Sequence, residues 1–419
     1  MPASPPGPST RPAEGPRAAG VSTDTAKVAV SVVFTTNGFA LASWLARVPE
    51  IQELLELTPG RLGLLLLCLS VGAVSALPLS GVVVRRLGPA RTVAVGGLAA
   101  GAAVVTAGLG AQTLALAAVA GAALLVFGAA SGFWDVAMNV EGTEVEQRLG
   151  RTIMPRFHAA FSLGTVLGAV GGFAASAAGL SVAVHLAVVG VLVAVVTLAA
   201  ATRFLPVDAG AVGAAEEHGS ALLAWRERRT VLLGLLVLCA AFTEGVANDW
   251  LAVGLRDGYG VSGTVGVLGF ALFVTAMTAG RLAGGPVLDR VGRVPVLVAC
   301  FAMVIAGSLV VVFSPVLWLA MVGALVWGVG ASLGFPLGIS AAADGGNAEA
   351  RVSVVATIGY TAFLAGPPLL GFLGDQIGVH TALLVVAVVS VPGLLLARAA
   401  RQPAGAEPAR PADGARAAA

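Results

Sequence analysis

The stretch Gly285-Pro286-Val287-Leu288-Asp289-Arg290-Val291-Gly292-Arg293 sets an acid, two arginines and two glycines between long apolar segments. In the first half of the chain, Gly81-Val82-Val83-Val84-Arg85-Arg86-Leu87-Gly88 occupies the equivalent place between two other apolar segments. A hairpin joining two membrane helices within a few residues must bring them close, and Gly285 and Gly292 allow both the approach and the turn. A charged hairpin that recurs once per half describes a duplicated membrane protein whose halves move against each other.

Composition points the same way. Hydrophobic residues make up 57% of the 419-residue chain and charged residues 11%, against roughly 25% charged in soluble domains. Mean hydropathy is +0.93. Apolar runs recur along almost the whole length, each long enough to cross a hydrocarbon core of ~30 Å at ~1.5 Å per residue. They do not alternate polar and apolar as barrel strands do, which leaves helices as the way to satisfy a spanning backbone. The reading is an all-α polytopic membrane protein with twelve transmembrane helices, near 26–47, 62–84, 90–110, 113–139, 156–178, 181–203, 230–254, 262–286, 293–313, 316–341, 350–373 and 379–400.

Six of these spans form an N-terminal half over 26–203 and six a pseudo-symmetric C-terminal half over 230–400. The polar stretch 204–229 joins them as a cytoplasmic linker, whose portion 221–229 reads as a short surface helix or a plain tether. Residues 1–25 and 401–419 read as disordered cytoplasmic tails. With the N-terminus inside, nearly all arginines fall in cytoplasmic segments, and the outer segments hold Arg47, Arg61 and Arg256. Both termini are therefore expected in the cytoplasm, in a multi-pass protein of the plasma or inner membrane. The formal charge of +2 is topological, and nucleic acid is not an expected partner. The expected partners are the lipid bilayer and a small-molecule solute, with the chain acting as a monomer.

No phosphate-cradling loop, Cys-x-x-Cys pair or His-Glu-x-x-His helix occurs, so the chain reads as neither an ATP-driven pump nor any enzyme. No metal is expected, and no cofactor beyond a proton gradient. Cys68, Cys239 and Cys300 fall in different spans and read as small packing residues.

The halves also repeat within the membrane. Thr36-Asn37-Gly38 followed by Trp44 in the first span echoes Thr243-Glu244-Gly245 followed by Trp250 in the seventh. Ala130-Ser131-Gly132 in the fourth loosely echoes Ala331-Ser332-Leu333-Gly334 in the tenth. The loops and the duplication resemble the major facilitator superfamily of secondary transporters, which implies two six-helix halves rocking about a central solute site. Asp289, near the negative C-terminal end of its helix, needs a cation or another helix's N-terminus opposite it. Arg290 and Arg293 can supply the cation and hold the loop at the anionic inner leaflet. In transporters of that superfamily such an acid latches onto a neighbouring helix start in the outward-open state; the plainer reading is a basic topological loop. The first copy departs from the pattern, with Arg85 where the acid is expected. The gating loop is thus expected to be asymmetric, with Gly285, Asp289, Arg290, Gly292 and Arg293 in one half and Arg85 in the other. Two marks of proton-antiporting drug exporters are absent: Leu124 precedes Gly128 where an arginine is usual, and Gly168-Ala169 replaces a Gly-Pro pair.

Ala46-Arg47-Val48-Pro49-Glu50-Ile51 and Leu57-Thr58-Pro59-Gly60-Arg61-Leu62-Gly63 look like the first outer loop of the YbjJ-like branch of the superfamily. Asp135-Val136-Ala137-Met138-Asn139-Val140-Glu141-Gly142 and His158-Ala159-Ala160-Phe161-Ser162-Leu163-Gly164 fit the same branch. The resemblance covers roughly residues 27–400. That branch borders the fucose-permease group of proton–sugar symporters, whose acid followed by Ala-x-Asn is matched by Asp135 and Asn139. The group's acid in the first span is missing, and Asn37 is the strongly polar residue there.

Ionisable residues at the centre of a membrane helix cost about 2.5–3.5 kcal/mol or more, so each asks for a reason. Asp135 and His158 form a candidate pair for carrying a proton, the alternative being an interfacial carboxylate that caps the next loop. Glu244 and Asn248 share a helix face and suit a hydroxylated or zwitterionic solute; the alternative is a structural bond from Glu244 to Asn37. Arg281 reads as a snorkelling partner of the motif loop. Trp44, Trp250 and Trp318 lie near span ends, as an interfacial belt does. Trp134, Trp327 and Tyr360 lie deeper, either to stack on a solute or to pack. Gly366-Pro367-Pro368 is the strongest hinge candidate.

The cavity is thus expected from Asp135, His158, Glu244, Asn37, Asn139 and Asn248. The expected function is alternating-access symport of a small polar, sugar-like solute with protons. Proton-coupled efflux of a drug or secondary metabolite is the alternative, and a transport-dead sensor or scaffold on the same fold is a third.

Overall fold

The computed structural model describes residues 21–151, 153–205, 223–344 and 348–401. Residues 1–20 and 402–419 of the expected tails and 206–222 of the linker lie outside the described residues, whereas 23–25, expected in the tail, already belong to span 1 because Ser22 caps the helix there. Among the described residues, twelve helices are long and apolar enough to cross a membrane. Spans 1 to 6 are Thr23–Leu45, Pro59–Leu87, Pro89–Gln112, Ala117–Leu149, Met154–Ala177 and Val182–Ala201. Spans 7 to 12 are Arg228–Tyr259, Gly263–Val291, Arg293–Phe313, Leu317–Ala342, Ala350–Ile377 and Val379–Ala400. These are the spans that the apolar runs outline, with differences at the ends. Span 4 continues to Leu149 through a polar turn, supported by the Glu144–Arg148 pair (2.7 Å) and capped by left-handed Gly150. Of the expected surface helix at 221–229, residues 221–222 lie outside the described residues, and among the described ones Leu223 and Ala224 are helical before span 7 begins.

Local chemistry sets the helix starts. Ser22, Thr58, Ser181 and Ser262 each accept a hydrogen bond from the N–H three residues on, capping spans 1, 2, 6 and 8. The two motif hairpins match in their backbone. Gly88 closes span 2 and opens span 3 at φ 78° and ψ 160°, and Gly292 does the same between spans 8 and 9 at φ 81° and ψ 170°. Glycine alone enters that region freely, so the duplication is visible in single dihedrals.

Each half packs in the same order. Span 2 lies on 4, 1 on 5, and 3 on both 4 and 6; the counterparts 8 on 10, 7 on 11, and 9 on both 10 and 12 repeat the set. Such packing depends on close approach of small residues, because lipid supplies no hydrophobic drive between helices. Gly38 faces the Phe161 carbonyl, and Gly164 the Thr35 carbonyl, where spans 1 and 5 cross. Span 10 breaks between Ala331 and Gly334, whereas span 11 stays helical through Pro367-Pro368, the expected hinge. The Pro367 carbonyl instead lies against Gly63 of span 2, so this segment packs at the contact between halves.

The halves meet along spans 2 and 11 and along spans 5 and 8. Their polar contacts gather at the end carrying the loop between spans 1 and 2, which holds a short helix, Val48–Leu54. Arg256 of span 7 clasps that helix, donating to the Pro49 carbonyl (2.8 Å), Gln52 (2.8 Å) and Glu53 (3.1 Å). The Gly60 N–H donates to Asp375 (3.1 Å), and Ser176 bonds Thr264 (2.7 Å). Arg47 is buried beneath the short helix, paired with Glu50 (2.9 Å) and donating to the Leu180 carbonyl. Deeper in, the Thr278 hydroxyl reaches the Ser162 carbonyl (3.4 Å). At the opposite end, which carries both motif hairpins, no hydrogen bond or ion pair joins the halves among the described residues. Among the described residues, the polar contacts between the halves thus lie towards the first end.

Gly164→Leu drives a side chain into the Thr35 carbonyl and should destabilise the protein by roughly 1–3 kcal/mol or prevent folding. Gly171→Ala, whose added methyl meets nothing within 4 Å, should leave melting and size-exclusion profiles unchanged. Arg256→Gln removes the clasp and should widen that first end, read as a longer spin-label distance between Leu54→Cys and Gly260→Cys.

Candidate functional site

The cleft draws its charged groups from both halves. Asp135 of span 4 interacts electrostatically with Tyr360 of span 11. His158 of span 5 interacts in the same way with Arg281 of span 8. The members of each pair belong to opposite halves.

Arg281 is the best-anchored of them. Its Nη2 donates to both oxygens of Glu244 (2.9 and 3.0 Å), and its Nε donates to the Ser332 carbonyl (3.2 Å). That carbonyl lies at the break in span 10, where helical hydrogen bonding is interrupted. A broken helix in a membrane needs such a donor, and the guanidinium fork satisfies the carbonyl and the acid together. This corrects the expectation that Arg281 snorkels towards the motif loop. It also replaces the expected bond from Glu244 to Asn37. Asn37 is 5% exposed within span 1, and no hydrogen bond joins it to Glu244 among the described residues.

Asp135 differs from Glu244. Among the described residues no cation pairs with it. Asn139, one turn on, donates its side-chain amide back to the Asp135 carbonyl (2.8 Å), leaving its amide oxygen for other partners. His158 stands edge-on to Phe34 (5.4 Å between ring centroids), and no hydrogen bond links it to Asp135. The expected Asp135–His158 pair is therefore divided: the acid looks to Tyr360 and the imidazole to Phe34 and Arg281. Asn248 is half-buried, one turn beyond Glu244. Tyr360 is the middle member of an aromatic row, 6.2 Å from Phe335 and 6.3 Å from Phe363.

The tryptophans divide differently from the sequence expectation. Trp44 and Trp250 are fully buried, not interfacial, because both pack inside their halves against neighbouring spans. Trp134 and Trp327 are also fully buried, which makes them packing residues, while Trp318 is 68% exposed.

At the motif end, Gly285, Asp289, Arg290 and Arg85 are exposed. Arg293 does not serve Asp289. Starting span 9, it turns to the end of span 10 and holds Asp344 by two bonds (2.9 and 2.7 Å) and Ser340 by one (3.1 Å). Arg229 adds a third bond to Asp344 (3.1 Å). Beside them, Arg351 hydrogen-bonds Glu227 (2.6 Å) and holds its carboxyl below the usual carboxylate range. Asp344, Arg256 and the Arg281–Glu244 link were missed in the sequence. For Asp344 the available signal was an acid at a span end; its two arginine partners come from the starts of spans 7 and 9.

A family model described as Major Facilitator Superfamily matches residues 233–418. An uncharacterised MFS-type transporter of Yersinia pestis is 32% identical over 375 residues, spanning 89% of this chain and 95% of that protein. Among solved structures, the nucleoside transporter NupG superposes with a TM-score of 0.72 at 15% identity, over 90% of this chain and 98% of that one. The fucose:proton symporter FucP of E. coli superposes with a TM-score of 0.61 at 16% identity, over 90% of this chain and 100% of that one. Twelve spans in two repeating halves around one cleft are the architecture those relatives share, and the chain belongs to the major facilitator superfamily of membrane transporters.

Proposed function

We propose that this chain carries a small polar, hydroxylated, sugar-like solute across the cell membrane by proton-coupled alternating access, as a monomer with both termini in the cytoplasm. The observation that carries the coupling is the contrast between two acids of the cleft. Glu244 has a guanidinium across both oxygens. Asp135 has no such partner among the described residues and can gain or lose a proton without breaking an ion pair. Asn139, Asn248 and Tyr360 add the amides and hydroxyl that a hydroxylated solute would bond. The arginine-rich loops favour the motif end inside. With that orientation the conformation is inward-open, with Asp289 released and Arg256 holding the outer end shut.

A thermal-shift screen of the purified protein against sugars, amino acids and amines should identify stabilising solutes, because bound ligand raises apparent stability. In vesicles, such a solute should drive a pH change, whose sign separates symport from exchange. Asp135→Asn should abolish that pH change; unaltered coupling in this variant overturns the assignment. Glu244→Gln leaves Arg281 unpaired and should destabilise the protein by about 1–3 kcal/mol, less than for a fully buried pair. Exchanging the two (Glu244→Arg with Arg281→Glu) should recover part of that loss on melting.

A further inference from the structure

At the end that carries the Arg256 clasp, the first turn of span 12 sits on span 7 through two glycines. A Cβ on Gly258 would lie 2.0 Å from His380 Nδ1, and one on Gly254 would lie 2.6 Å from Leu383 Cδ1. Both side chains fill space that only glycine leaves free. There the His380 ring meets two carbonyls at once. Its Nδ1 lies 3.1 Å from the Gly254 oxygen of span 7, and its Nε2 lies 3.0 Å from the Val312 oxygen at the end of span 9. Tyr259 stands edge-on to the ring (5.4 Å between centroids, 90°), and its hydroxyl reaches the Val311 and Ser314 carbonyls (2.9 and 3.0 Å). The last carbonyls of a helix lack N–H partners of their own, and at span 9 the side chains of spans 7 and 12 supply them.

Both partners of His380 are acceptors. A neutral imidazole has one N–H to give and an imidazolium has two, so only the protonated ring donates to both carbonyls. A neutral ring turns a lone pair towards one of those oxygens. Gly258 beneath it and Tyr259 beside it confine the ring, so relief has to come from a shift of the first turn of span 12 against span 7 or span 9. The C-terminal end of span 9 is itself a favourable place for a cation. No carboxylate pairs with His380 among the described residues. On span 7, Arg256 and Asp257 pair with each other (2.7 Å), and Tyr259 is the neighbour already named. On span 11, Asp375 accepts from the Gly60 N–H of the other half, and residues 310–314 of span 9 carry no ionisable side chain. Backbone carbonyls are thus what a charge on this half-buried ring would meet.

We infer that His380 is a proton-operated strap: its imidazolium ties spans 7, 9 and 12 together beside the Arg256 clasp, and loss of the proton loosens that end of the molecule. Gly254 and Gly258, which seat the strap, flank Arg256 by two residues on either side. The segment that grips the helix Val48–Leu54 of the other half is therefore the one that the strap steadies. Imidazole changes charge across the pH range that surroundings commonly span, so the hold between halves at this end follows the pH there. Naming that side the exterior rests on the orientation proposed above; the strap itself does not.

Two measurements on the full chain in bilayers test this. The first is nitrogen NMR of the unsubstituted protein labelled at its histidines, with the His380 ring identified by its contact with Tyr259. At pH about 5.5 both ring nitrogens should carry hydrogens that exchange slowly with water, and at pH about 8 only one should. A single N–H across that range overturns the inference. The second is the spin-label distance between Leu54→Cys and Thr381→Cys, in a Cys68→Ser background. The distribution should be broader and longer at the higher pH, and His380→Gln, whose amide has no proton to lose, should remove that response. A distribution that ignores pH, or a response that His380→Gln leaves intact, overturns it. Melting should show the same linkage: the gap between the unsubstituted protein and His380→Gln should be larger at the lower pH by roughly 2–4 °C. An equal gap at both pH values contradicts the strap. If His380→Gln does not fold, Gly258→Ala, whose methyl takes the ring's seat, replaces it in both comparisons, and the NMR result stands without any variant. No readout here uses a solute, so failure of the strap leaves the proposed transport standing, and absence of a solute-driven pH change leaves the strap standing.

Discussion

A charge in the middle of a membrane protein has to be compensated, and the cleft of this transporter is organised by how its charges meet that demand. Arg281 reaches both oxygens of Glu244 and the Ser332 carbonyl, tying spans 7, 8 and 10 together. The link satisfies a carbonyl at the break in span 10 and gives one acid a guanidinium partner. What it leaves over is Asp135. Asp135 and Glu244 stand in opposite halves, one without a paired cation and one with, and Asp249 of span 7 is a further acid with none among the described residues.

The same division of labour extends to the two ends of the cleft. The repeat is strict in the helix packing and in the dihedrals of Gly88 and Gly292, yet the charges laid on it are not symmetric. At the end opposite the motif hairpins, Arg256 holds the helix Val48–Leu54 across the boundary between halves, while Arg47 is buried beneath it with Glu50. At the motif end, Arg293, Arg229 and Asp344 tie the C-terminal half to itself. Asp289, Arg290 and Arg85 stand exposed. Bonds between halves at one end and bonds within a half at the other are what a rocking molecule needs in a single state.

Sequence made the fold legible because its determinants are local. Apolar runs of membrane length, glycines at the hairpins and serine or threonine caps act within a few residues of themselves. The cleft was half legible. Asp135 and Glu244 stood out because an acid in an apolar run has no local excuse. Their partners were illegible because they come from other spans. Nothing near Arg281 announces its reach to position 332, but the free carbonyl there has a local cause, because Pro336 lacks the N–H that would bond it at i−4. The proline pair of span 11 misled for the converse reason, since packing against Gly63 keeps that helix continuous. Trp44 and Trp250 misled because nearness to a span end says little about which face of the helix a ring occupies.

The central claim is that Asp135, and not Glu244, is the acid that changes protonation in the cleft. Infrared difference spectroscopy across a pH step reads this directly, through the carbonyl stretch of a protonated carboxyl group. The account predicts a titrating band that persists in Glu244→Gln and disappears in Asp135→Asn. A band that disappears in Glu244→Gln while Asp135→Asn keeps it would contradict the account.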